Sequence, residues 1–112
     1  MEEVKLSWSY NEFKAYLLIY AAESNQIITE EESNFLEEKF DTLLIKTIQK
    51  EINEDNDFQR IQKIMAYIEQ NNLGKEDLDA LLGEILAVYR SDGKYDAQEQ
   101  AIFQFLEKLF KM

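Results

Sequence analysis

Apolar side chains recur every three to four positions along nearly the whole chain, and no proline interrupts them. A proline inside any of these stretches would break a helix, and only three glycines stand among the 112 residues. The expected fold class is therefore all-α. One domain spanning residues 1–112 would fold as a helical bundle of about six to seven helices.

The helix starts can be read individually. Ser9-x-x-Glu12, Thr29-x-x-Glu32 and Asp96-x-x-Glu99 are capping boxes, in which a short polar side chain and an acid three residues on satisfy each other's amides. Asp96 takes the hydroxyl's role in the third. Trp8, just before the Ser9 cap, is placed to staple onto Phe13; the alternative is an exposed anchor for a partner. A first helix is expected over residues 10–24, with Phe13, Tyr16, Leu17, Tyr20 and Ala21 on one face. Leu18 and Ile19 broaden that stripe, so this helix should be buried on most sides. Helices over 30–40 and 42–53 follow, the latter with Leu43, Leu44, Ile48 and Ile52 inward. A fourth turns Phe58, Ile61, Ile64, Met65 and Ile68 inward and stops at "NNLG", where Asn and Gly tolerate left-handed backbone. A fifth, over 75–90, repeats Leu78, Leu81, Leu82, Ile85, Leu86 and Tyr89, and a sixth starts at Asp96. Leu17, Tyr20, Leu82, Ile85, Leu86 and Phe105 are the expected core.

Composition removes whole classes of function. There is no Cys and no His, so disulfides, thiolate sites, the usual zinc ligand and Ser-His or Cys-His nucleophiles are all excluded. No phosphate-cradling Gly-rich loop is present either, and the expectation is a protein without enzymatic activity. A net charge of -11 disfavours nucleic acid and anionic membrane and suits cations or a basic protein partner. The N-terminus "MEEVKLSWS" lacks the apolar run of a signal peptide. The longest apolar stretch, "AYLLIYAA", has about eight residues, well short of a membrane span. A cytoplasmic protein with no membrane insertion is expected.

One unit occurs twice. "AESNQIITEEESNFL" and "YRSDGKYDAQEQAIF" each close an apolar helix, cross a short polar loop, cap a second helix and set a Glu at a fixed place. At a constant offset of 67, Asn25 aligns with Asp92, Gln26 with Gly93, Ile28 with Tyr95, Thr29 with Asp96 and Glu32 with Glu99. The bundle should therefore contain two related hairpins, over 10–40 and 78–110, packed about a pseudo-twofold axis. The second loop, Asp92-Gly93-Lys94-Tyr95-Asp96-Ala97-Gln98-Glu99, resembles the acid-Gly-x-hydrophobe-x-x-x-Glu pattern of the TerB-like, tellurite-resistance helical domains. The opening "SWSYNEFKAYLLIYAAESN" looks like the first half of small proteins of that family. The first loop departs from the pattern, with Asn25 for the acid and Gln26 for the glycine. The resemblance implies an all-helical fold, a role in stress response, association with a metal and contact with a protein partner. It supplies no reaction.

Two readings compete for the second loop. With Gly93 at position six of an EF-hand frame, Asp92, Asp96 and Glu99 occupy ligand positions five, nine and twelve. Val88 and Arg90 then fall at one and three, where a cation needs oxygens. One loop alone is thus a structural turn: Gly93 supplies a positive φ, Tyr95 plugs the core, and Asp96 with Glu99 caps the last helix. The other reading joins both loops, so that Asn25, Glu32, Asp92, Asp96 and Glu99 share one calcium, magnesium or manganese ion. Against it, a capping carboxylate already turns its oxygens towards backbone amides. Glu30 and Glu31 complement the dipole of their helix, and "NEDND" reads as a solvated turn. A function of a different class, a small acidic immunity- or inhibitor-type protein neutralising a basic partner, also suits the size and charge.

Overall fold

A computed structural model of the chain describes residues 8–23, 28–91, 93 and 97–111, which form six helices and no strand. They are α1 (Tyr10–Glu23), α2 (Glu30–Lys39), α3 (Thr42–Glu54), α4 (Asp57–Gln70), α5 (Lys75–Arg90) and α6 (Ala97–Phe110). The caps read from the sequence set two of the starts. Ser9 N donates to Glu12 Oε1 at 2.9 Å while Glu12 N donates to Ser9 Oγ at 3.1 Å. Trp8 lies 6.4 Å from Phe13 between ring centroids, in the staple position. Thr29 and Glu32 form the same reciprocal pair at the head of α2. Asp96 lies outside the described residues.

The "NEDND" segment is more than a solvated turn. Asn56 caps α4, exchanging 2.8 Å hydrogen bonds with Gln59 in a box the sequence reading missed. Asp55 accepts from the Tyr16 hydroxyl at 2.8 Å and from Lys63 Nζ at 2.7 Å. Lys63 also reaches Glu51 at 2.9 Å, so α1, α3 and α4 are laced together where α3 hands over to α4.

Helix α1 is the axis of the fold. Nine of its 14 residues are buried, including the unbroken run from Ala15 to Ala22, because other helices cover it on several sides. It packs most extensively on α3 and then on α5, with α4 and α2 also in contact. Phe13 stacks on Tyr67 of α4 at 4.1 Å, a pair whose second member the apolar stripe of α4 did not single out. Glu84 of α5 bridges Lys14 of α1 and Lys39 of α2 at 3.2 and 2.8 Å. Helix α6 packs on α5. The radius of gyration, 13.4 Å, is about that of a single compact body of this length. No helix among the described residues is long and apolar enough to cross a membrane.

Four of the six residues of the expected core are in place, and several other residues expected inward, Leu44, Ile61, Met65 and Ile68 among them, are only half-buried. Leu17, Tyr20, Leu82 and Ile85 are buried. Phe105 is instead 45% exposed, and Leu86 is only half-buried. Leu43 and Phe58 point outward, at 70% and 73% exposure. Each is the second residue of its helix, where the chain has not yet reached the core. Ile45 and Tyr67 take the inward places.

Candidate functional site

The repeated unit recurs in the structure at the spacing read from the sequence. Helices α1 and α5 end at Glu23 and Arg90, and α2 and α6 begin at Glu30 and Ala97, both pairs 67 residues apart. The two long helices meet near their C-terminal ends. There the Tyr89 hydroxyl donates a buried 2.8 Å hydrogen bond to the Ala21 carbonyl. That carbonyl lies in the last turn of α1, so a side chain of one repeat bonds to the helix end of the other. Both polar loops therefore leave from the same end of the α1–α5 pair. The sequence reading placed Tyr89 on an apolar stripe; its hydroxyl carried no signal of this role.

The fixed glutamates of the two units are the buried acids of the described residues. Glu32 is fully buried and Glu99 is 2% exposed, although both stand in the first turn of a helix, where acids usually face solvent. Glu30 and Glu31 are exposed, as acids that only complement a dipole should be. Glu32 divides its two oxygens. Oε1 accepts from Thr29 N at 3.0 Å and from Thr29 Oγ1 at 3.2 Å, completing the cap. Oε2 is buried and has no hydrogen-bond partner. A polar atom left in that condition costs about 1–3 kcal/mol, more when the group is charged. The objection that a capping carboxylate has no oxygen to spare thus fails for Glu32: one oxygen caps and the other is unengaged.

Gly93 has φ +77°, the left-handed value the turn reading required, and its N–H donates to the Arg90 carbonyl at 2.9 Å. Asn72 plays the matching part in "NNLG" with φ 52°. Of the five residues proposed to share a cation, Glu32 and Glu99 are placed as described, while Asn25, Asp92 and Asp96 lie outside the described residues. Among the described residues no three acids come together as a metal site. The donor chemistry available is carboxylate and amide oxygen, which suits calcium, magnesium or manganese rather than softer ions. No known protein family, curated protein or solved structure matches this chain.

Proposed function

We propose that this chain is a non-enzymatic, TerB-like helical module, acting in the cytoplasm as a stress- or metal-linked adaptor. It would work through protein contact and hold a divalent cation weakly between its two loops. The observation that supports this reading best is the unengaged Oε2 of Glu32, buried in the first repeat and matched by a buried Glu99 in the second. A buried carboxylate oxygen without a partner calls for an explanation, and an ion or a water is the usual one. The Tyr89–Ala21 bond brings both loop-bearing helix ends together, which is what a shared site needs. Asn25, Asp92 and Asp96 would supply the remaining oxygens. The net charge of -11 also favours the second reading, an inhibitor of a basic partner, but that reading gives no reason for two buried glutamates.

Titration of the metal-free protein with calcium, magnesium and manganese tests the cation. Stabilisation grows with the logarithm of free ion over its dissociation constant, so tenfold excess adds about 1.4 kcal/mol. The melting temperature should rise at millimolar ion, with amide shifts confined to the two loops. Glu32→Gln keeps an oxygen for the Thr29 cap and should abolish the rise. Unchanged melting and unchanged loop amides with all three ions would overturn the cation.

A further inference from the structure

The contacts of α6 leave space on one side of it. Helix α6 packs on α5, while α3 and α4 pack on α1, and a cavity of about 560 Å³ remains among them. Its two walls differ in chemistry. One carries Tyr20 and Glu23 from the end of α1 with Asp57 and Arg60 from the start of α4. The other carries Ile102 and Phe105 of α6, and this is where the partly exposed Phe105 lies.

The polar wall has two carboxylates against one guanidinium. Arg60 is already committed in part, since its Nε donates to the Ile52 carbonyl at 2.9 Å, in the last turn of α3. Glu23 closes α1, so the carbonyl ends of two helices, with their partial negative charge, border the same space. The opposing helix start, that of α4, already has its cap made by Asn56 and Gln59. Burial raises the Glu23 carboxyl above the usual range, although Arg60 and a hydrogen bond with Gln49 offset part of this. Tyr20 is pushed up to about 12, by burial first and by Asp57 after it, and so remains a neutral hydroxyl. The cavity thus carries one net negative charge, with the Glu23 carboxylate partly cut off from water and Asp57 exposed, beside an aromatic face and aliphatic surface.

We propose that this cavity receives an arginine side chain carried by a basic, amphipathic peptide segment of a partner protein. Arginine fits better than lysine. Its planar, weakly hydrated guanidinium can take a carboxylate side-on and lie against the Phe105 ring at once. A peptide fits better than a free amine, because the space exceeds one side chain and the α6 wall offers apolar surface to the flanking residues. The proposal gives the chemistry of the protein contact named above and does not need the cation.

The test titrates the isotope-labelled full chain, in EDTA, with a short helical peptide carrying one arginine on a leucine-bearing face. The same peptide with citrulline in that place, and acetyl-arginine amide alone, are the comparisons. The arginine peptide should shift the amides of Tyr20, Glu23, Ile102 and Phe105. Citrulline should weaken binding roughly fivefold, the scale of one partly screened ion pair. Glu23→Gln should erase the difference between the two peptides, and Phe105→Ala should weaken both; thermal unfolding of each variant verifies that it is folded. Equal binding of the two peptides, shifts spread over the acidic surface, or no binding at millimolar peptide would overturn the proposal. Acetyl-arginine amide binding as tightly as the peptide would overturn its peptide half. EDTA excludes divalent ions and the cation titration contains no peptide, so either idea can fail without the other.

Discussion

Gly93 is where the second loop is most sensitive to a single atom. A Cβ added there meets nothing within 4 Å, so alanine is opposed only by the backbone at φ +77°. Gly93→Ala should therefore cost about 1 kcal/mol in denaturant unfolding, by the same amount with and without divalent ion. A loss near zero would show that the loop relaxes to another conformation. Glu32 presents the opposite case. Its place in a capping box is plain from Thr29-x-x-Glu32, but nothing in the sequence tells that one of its oxygens is sealed from water. Whether a polar atom is buried depends on which elements later close over it, and a local motif does not encode that. The Tyr89 hydroxyl was hidden for the same reason: its partner is 68 residues away.

At the level of the helix, spacing and caps fix number and extent well. The fifth helix runs from Lys75 to Arg90 as expected, and the third extends one residue beyond its expected end. Faces are less legible, because a broad apolar stripe does not say which of its edges meets a neighbour. On α6, Glu99, Leu106 and Phe110 turn inward and Phe105 falls beside that stripe. On α5, Leu82 is buried while Leu86, one turn on, is half-covered. An alanine series separates these positions. Leu82→Ala should cost about 2–5 kcal/mol, and Leu86→Ala roughly half as much, because its side chain hides less apolar surface from water. Phe105→Ala should cost less than about 1 kcal/mol, as a partly exposed side chain does. Equal losses at Leu82 and Phe105, measured by chemical denaturation, would contradict the burial of these two side chains.

For the molecule as a whole, alkali is the expected weakness. Burial, the hydrogen bond to Asp55 and the charge of Asp55 push the Tyr16 hydroxyl well above its ordinary 10.0, and Tyr20 rises to about 12. Burial alone would lower Lys63, but its bonds to Asp55 and Glu51 outweigh this and hold it raised from 10.5. All three are higher in the folded state. Their stabilisation is therefore complete below the ordinary values and is lost as pH rises through the shifted ones. The melting temperature should be insensitive to these groups up to pH 10 and fall steeply beyond it. Tyr16→Phe should flatten part of that fall. A melting temperature unchanged through pH 12 would show that these groups titrate alike in the folded and unfolded chain.

The central position of α1 also sets an order in time. It is the first of the six described helices to be made, yet its coverings α2, α3, α4 and α5 follow it, and the Tyr89 hydroxyl that bonds near its end comes 68 residues after Ala21. At a synthesis rate of roughly 5–20 residues per second, several seconds separate Ala21 from Tyr89. During that interval the run from Ala15 to Ala22 has only the part of its cover that α2, α3 and α4 give, so a growing chain displays a side of its most buried helix before it can hide it. A bundle of helices can assemble from near neighbours, but α1 gains its full cover only when the fifth helix is present.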